Sequence, residues 1–284
     1  MQGLIDHGLA GQHYLDFNKS NCLSDSYSIY YGLGQQLDFI HSPTVFRVSL
    51  AGVRLGCYLL RSFSSSRSNN SFLDVGTGSG VHALLARKLG VQDIFATDIS
   101  PYSIEQAKLH EHINFKQPAI SFCIGDLFSN LPERQFETIT FNPPGWRTPS
   151  PSLTQRLDII EPTGQLPLEA MFYGEQIIAR FLDNLPKYLA PTGTAIVGLN
   201  SLVGIRDVLN GYRERHHGAP PLAYRLMERH TLPLLYYSDH WQATSKLLKS
   251  EFEQWANQDL AAYSADKHGI IFWSYEIVEF YYPK

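Results

Sequence analysis

The octapeptide Leu73-Asp74-Val75-Gly76-Thr77-Gly78-Ser79-Gly80 joins a short apolar run, residues 72–75, to a helical stretch, 81–89, that Gly90 stops. Its glycines stand at alternate positions. Lacking Cβ atoms, they let the backbone bend sharply and let a ligand come close to the main chain. The helix that follows offers free N–H groups at its start. The spacing is not the dinucleotide fingerprint G-x-G-x-x-G, because the third residue after Gly78 is Val81; this disfavours a nicotinamide enzyme. Nor is it a phosphate loop, since no lysine follows the glycines. Alone, the turn is also compatible with a plain strand-to-helix bend.

Outward from the turn, short apolar runs alternate with helical stretches. Strands are expected at 72–75, 93–99, 120–124, 136–141 and 194–199. A helix starts at Ser100-Pro101, a cap followed by a first-turn proline. Ile177, Ile178, Phe181, Leu182, Leu185 and Leu189 mark another. This alternation predicts an α/β three-layer sandwich, a mostly parallel sheet with helices on both faces. Beyond Asn200 it weakens: helix plus loop at 201–221, strand at 224–235, helix at 239–263, strand at 270–282. The last two strands can pair antiparallel at one sheet edge. Upstream, Val48, Leu50, Val53, Leu55, Leu59 and Leu60, interleaved with Arg47, Arg54 and Arg61, predict one helix from about Val45 with a buried stripe. Residues 25–31 and 36–40 read as short separate pieces. The Ser/Asn-rich stretch 62–71 divides an N-terminal extension, 1–70, from a core domain, 71–284.

The 284 residues are 44% hydrophobic and 18% charged, a balance that excludes a disordered chain. A net charge of -4 gives no cationic field for a polyanion, so strong nonspecific nucleic-acid binding is not expected. Cys22, Cys57 and Cys123 form no C-x-x-C pair, which argues against a disulfide framework or a cysteine zinc site. The first 17 residues carry no Lys or Arg, unlike a signal peptide, and the longest apolar stretch is broken by Arg54. A soluble, cytoplasmic protein without a membrane partner is expected. None of the 11 histidines forms H-E-x-x-H; no metal site is expected, and most histidines are placed on the surface. The arginines between 206 and 229 are interleaved with Asp207, Glu214 and Glu228, as on a solvated helix face.

The fourth strand runs into Asn142-Pro143-Pro144-Gly145-Trp146. Two prolines remove two backbone donors and stiffen the chain, holding Asn142 and the Pro143 carbonyl in fixed relation. In open parallel sheets ligands bind beyond the carboxyl ends of the strands, so this segment should face the crevice of the glycine turn. An ordinary Asn-Pro turn is the plainer alternative. Residues 147–168 lack periodicity and read as a loop closing over substrate.

Over roughly residues 72–200 these motifs resemble the class I S-adenosylmethionine-dependent methyltransferases. Their marks are an acidic residue followed by G-x-G-x-G (Asp74 to Gly80), an acid closing the second strand (Asp98), and an acid after the third (Asp126). The resemblance implies a Rossmann-like, seven-stranded sheet of order 3-2-1-4-5-7-6 with strand 7 antiparallel. It implies S-adenosylmethionine as cofactor, with Gly76, Thr77, Gly78 and Gly80 against its methionine and ribose portions and Asp74 near the ammonium. Asp98 would take both ribose hydroxyls as charge-assisted bonds. Asp126 would bind the adenine amino group between Ile99 and Leu127; taken singly, Asp126 is equally a helix-cap or turn residue.

Asn142-Pro143-Pro144 is similar to the N-P-P-[aromatic] motif of the N5-glutamine and small-domain N-methyltransferases. By that resemblance Asn142 borders the cofactor, and its side-chain oxygen and the Pro143 carbonyl accept hydrogen bonds from a target NH2. Positioning and well-aimed acceptors then supply the rate. The chain departs from the motif at Gly145, where the stacking aromatic belongs. Either Trp146 replaces that face or Gly145 makes room for a bulkier substrate. The activity implied is methylation of a substrate nitrogen, a protein glutamine or an RNA base amine. A small-molecule N- or O-methyltransferase and a catalytically silent binding subunit are the alternatives. The intact glycine turn and Asp98 speak against the silent subunit. In related enzymes a segment just upstream of the first motif covers the cofactor. Phe46 in 41–47 could do so here, or Ser42 or Thr44 could simply cap a helix. Tyr30, Tyr31 and Gly32-Leu33-Gly34 read as a lid or a buried aromatic cluster.

Overall fold

A computed structural model describes residues 5–6, 26–65, 70–160, 168–235 and 239–283. The chain divides into two compact units. The first comprises Met1–Asn142 and Lys187–Ile196, the second Pro143–Pro186 and Val197–Lys284.

The first unit opens with a small sheet. β1 (Ile5–Asp6) pairs in parallel with β2 (Ser26–Gly32), and β2 pairs antiparallel with β3 (Gln35–Ile40). The pieces at 25–31 and 36–40 are therefore one hairpin, not separate fragments. Its turn residues Leu33 (φ 49) and Gly34 (φ 76) are both left-handed, the handedness that matches strand twist in a two-residue turn. Ile29, Tyr31, Leu37 and Phe39 are buried, the period-two pattern of a half-buried ribbon. The next element, α1 (Leu50–Ser65), buries Val53, Leu55, Leu59 and Leu60. It begins at Leu50 rather than Val45, because Ser49 Oγ accepts from the Gly52 N–H and caps it. It also runs through Ser65, into the stretch expected as a connector.

β4 (Ser71–Val75) is the central strand and all five of its residues are buried. It pairs in parallel with β5 (Asp93–Asp98) on one side and β7 (Phe136–Phe141) on the other, and β5 pairs in parallel with β6 (Ile120–Ile124). Between them run α2 (Val81–Lys88) and α3 (Pro101–Phe115). Ser100 caps α3 by accepting from the Ser103 N–H, with Pro101 in the first turn.

The second unit holds α4 (Pro151–Ile160), most of α5 (Gly174–Tyr188), α6 (Ile205–Arg215) and α7 (Asp239–Asn257). α4 corrects the expectation of an aperiodic loop at 147–168. Ser150 Oγ accepts from the Leu153 N–H, Pro151 opens the helix, and both carboxylate oxygens of Glu251 accept from Ser150. β8 (Leu189–Asn200) passes from the first unit into the second. β9 (Ala223–Pro233) and β10 (Tyr263–Ala265) both pair antiparallel with β11 (Ile271–Tyr281). Counted along the chain from β4 and leaving out the three-residue β10, the main sheet has the expected order 3-2-1-4-5-7-6. β10 brings it to eight strands. The protein thus has the Rossmann-like α/β fold. Among the described residues no helix is long and apolar enough to cross a membrane.

Candidate cofactor and acceptor site

Register places the predicted residues in one row. Val75 lies opposite Thr97 on one side and Phe141 on the other, and Asp98 lies opposite Ile124. The residues that follow, Gly76, Asp98 and Asn142, therefore leave the sheet together at its carboxyl edge. Gly125 and Asp126 follow β6 at the same edge, and the Gly125 N–H donates to the Asp98 carbonyl at 2.9 Å. All belong to the first unit.

Gly76, Gly78 and Gly80 have φ of 63, 54 and 85, all left-handed. Their surroundings differ. A Cβ on Gly80 would stand 2.9 Å from Ala107 Cβ, so Gly80 lets α3 pack against the turn. A Cβ on Gly76 would sit 3.4 Å from the Phe141 ring. A Cβ on Gly78 would meet nothing within 4 Å. Gly78 is the open point of the turn, where a ligand can lie against backbone.

Asp98 is held by two peptide donors. Gly78 N–H donates to Oδ2 at 2.8 Å and Ser100 N–H to Oδ1 at 2.9 Å. Burial nonetheless pushes its carboxyl above the ordinary value, outweighing both hydrogen bonds; the Asp74 charge adds to the rise. Ile99 beside it is 70% exposed and Ile124 is exposed too. Leu127 adopts φ 52, and its carbonyl accepts from Thr97 Oγ1 at 2.9 Å, which fixes the backbone after Asp126. A carboxylate with spare lone pairs, an open glycine and exposed aliphatic side chains suit a ligand with a diol and a flat ring. The residues present therefore fit S-adenosylmethionine.

Asp74, expected near the ammonium directly or through water, has its carboxylate hydrogen-bonded within the protein. It is 1% exposed. Oδ2 accepts from Thr77 Oγ1 at 2.6 Å and Ala83 N at 3.3 Å, and Oδ1 accepts from Thr140 Oγ1 at 2.9 Å. His82 Nδ1 lies 3.7 Å from Oδ1. Asp74 therefore ties the turn to α2 and β7 from below. His82 and His110 are buried, while the other histidines whose burial is described are exposed or partly exposed. Sequence reasoning also missed that α1 reaches the acceptor residue: a Cβ on Gly52 would stand 4.0 Å from Asn142 Nδ2. The signal was Ser49, the helix cap that places Gly52 in the first turn.

Pro143, Pro144, Gly145 and Trp146 belong to the second unit. Trp146 is 1% exposed and meets Phe172 (5.2 Å, 69°) and Phe252 (5.4 Å, 68°) edge-on. Its backbone is pinned as well: N–H to the Met171 carbonyl and carbonyl to the Gly174 N–H, each at 2.9 Å. Its ring is core and presents no open stacking face, which corrects the first of the two readings at Gly145. Along the Cβ direction of Gly145 the space is filled from within. A Cβ on Gly145 would lie 2.5 Å from Nδ2 of Asn200. Asn200 is 7% exposed, and its Oδ1 caps the short 3-10 turn Ser201–Val203 by accepting from the Leu202 N–H.

A sequence profile described as ribosomal protein L11 methyltransferase (PrmA) matches residues 56–142. A protein of Methanocaldococcus jannaschii, assigned the name protein N5-glutamine methyltransferase, is 31% identical over 142 residues, which are 50% of this chain and 68% of that protein. The release factor glutamine methyltransferase of Thermodesulfovibrio yellowstonii is 33% identical over 132 residues, 45% of this chain and 46% of that enzyme. The chain thus spans less than half of that second relative. In fold alone, the YcgJ protein of Bacillus subtilis is similar, with a TM-score of 0.50 at 15% identity over 81% of this chain and 100% of that one. The motif row at the strand ends and these relatives agree, and the chain belongs to the class I S-adenosylmethionine-dependent methyltransferases, in the family of its N5-glutamine methyltransferase relative.

Proposed function

We propose that the protein methylates the side-chain nitrogen of a glutamine in a protein substrate. The observation that carries this reading is the shared carboxyl edge of β5, β4 and β7, which aligns Asp98, the glycine turn and Asn142. The names of the two relatives direct it to a carboxamide. S-adenosylmethionine, when bound, supplies a methyl carbon activated by its sulfonium and leaves as S-adenosylhomocysteine.

Each residue then has one task. Asp98 accepts from the ribose hydroxyls, and Asp126 from the adenine amino group, with Ile99 and Leu127 flanking the ring. Gly76, Thr77, Gly78 and Gly80 give the backbone its close approach. Asn142 Oδ1 and the Pro143 carbonyl accept from the target NH2 and aim its lone pair at the methyl carbon, and Pro144 keeps that stretch stiff. As the new C–N bond forms, positive charge grows on nitrogen beside these two acceptors, which favours the transition state before the proton passes to water. The described part of the N-terminal extension, residues 26–65, covers the cofactor side.

Labelled S-adenosylmethionine incubated with the protein and cell extract tests the reading. Label should enter protein and come off as N5-methylglutamine on hydrolysis; label in RNA or small metabolites would redirect it. Asn142→Ala should abolish transfer and leave cofactor binding intact. Equal loss of both would refute the role given to Asn142.

A further inference from the structure

His110 lies within α3, wholly buried, and its ring joins two separate backbone segments. Nδ1 is 2.8 Å from the Ser79 carbonyl oxygen in the glycine turn. Nε2 is 3.1 Å from the backbone nitrogen of Ile40, the last residue of the β2–β3 hairpin. Nε2 is equally 3.1 Å from the Ile40 carbonyl oxygen. In a neutral ring that donates from Nδ1 to the Ser79 carbonyl, the lone pair is on Nε2, which then accepts from the Ile40 N–H. Burial holds the imidazole below its ordinary pKa, in keeping with a neutral ring.

Neighbouring residues of α3 complete the attachment. Gln106 Nε2 donates to the Ile40 carbonyl at 2.8 Å and lies 2.9 Å from His110 Nε2. Asn114 clasps Asp38 on both sides of the chain, accepting from its N–H at 2.9 Å and donating to its carbonyl at 2.8 Å. Phe39 meets the imidazole edge-on at 5.0 Å. Three polar side chains at four-residue spacing thus read alternate residues of β3. Of these three, His110 is the one whose ring also reaches the turn. The peptide it grips, between Ser79 and Gly80, has its N–H on the Thr77 carbonyl at 2.8 Å. Rotation of that peptide would shift Gly78, the open point of the turn.

We propose that His110 is a positioning residue for cofactor binding: its Nδ1–H sets the Ser79 carbonyl, and so the shape of the glycine turn, while its Nε2 registers the hairpin on the same ring. The proposal rests on the reading that this turn cradles S-adenosylmethionine.

Two conservative variants separate the two arms. Asn carries its amide donor at the position of Nδ1, so His110→Asn keeps the Ser79 bond and gives up the Ile40 bond. Gln reaches the position of Nε2, so His110→Gln accepts from Ile40 and leaves Ser79 without a donor. Binding of S-adenosylmethionine to each full-length variant is measured by calorimetry, beside thermal melting. His110→Gln should weaken binding about tenfold while His110→Asn stays within about threefold of wild type, at matched melting temperatures. Equal binding by both variants, whether tight or weak, overturns the proposal. Failure of the wild type to bind would instead sink the underlying reading of the turn.

Discussion

The peptide N–H of Gly78 donates to Oδ2 of Asp98 at 2.8 Å, so the open point of the glycine turn and the carboxylate of the next strand are one hydrogen-bonded unit. Burial still raises the Asp98 carboxyl above 3.8. In the raised interval the folded protein holds a proton that the unfolded chain has released. Stability contributed by that proton is present below 3.8 and is lost as pH rises through the folded value. A difference between the melting curves of wild type and Asp98→Asn, taken across pH, should fall over that interval. A flat difference would show that the two peptide donors cancel the burial.

The three glycines should respond differently to alanine. At Gly78 the added methyl meets nothing within 4 Å, so the cost is the left-handed backbone, about 1 kcal/mol. At Gly80 the same backbone cost is joined by a collision with Ala107 at 2.9 Å, and roughly 2–3 kcal/mol is expected. Urea unfolding should rank Gly80→Ala well below Gly78→Ala. Calorimetry should show weakened S-adenosylmethionine binding in the more stable Gly78→Ala.

Thr140→Val removes one donor from the buried Asp74 carboxylate. A hydrogen bond to a charged buried group is worth about 1.5–3 kcal/mol, and a loss of that size should appear in urea unfolding. Asp74→Asn should cost more, because Oδ2 accepts from both Thr77 and Ala83 and an amide nitrogen there accepts from neither. A milder effect of Asp74→Asn than of Thr140→Val would contradict the anchoring role.

Gly145 and Asn200 should be coupled. Gly145→Ala places a methyl 2.5 Å from Asn200 Nδ2 and should destabilise by about 1–3 kcal/mol. Asn200→Ala removes the Leu202 cap at a cost of about 1 kcal/mol. The double variant should be more stable than the sum of the two predicts, and thermal melts of the four proteins measure the difference. Strict additivity would mean that the Asn200 side chain turns away freely.

Much of the core was legible because local chemistry and tertiary packing agreed there. β4 to β8 announced themselves as apolar runs, and Ser100-Pro101 marked the start of α3 where the structure has it. From sequence, Tyr30, Tyr31 and Gly32-Leu33-Gly34 read as a lid or a buried aromatic cluster; the structure buries Tyr31 and closes a hairpin at left-handed Leu33 and Gly34. The Pro and Ser residues of 147–168 read as loop in the sequence, whereas Ser150-Pro151 is a cap and first-turn pair that opens α4. At the site, residue types and strand ends led to Asp98 and Asn142, and register shows that their strands flank β4, one on each side. Residue types could not reveal that the Asp74 carboxylate is consumed by Thr77, Ala83 and Thr140, or that Trp146 is core. Those depend on which way a side chain turns once its neighbours arrive.

The crowding of Gly145 by Asn200 ties the size of one residue to the size of the other. An aromatic at 145 would meet the Asn200 side chain unless that side chain moved or was made smaller. Residues 145 and 200 therefore constrain each other in size, and a side chain fits beside the proline pair only when its neighbour at 200 gives way.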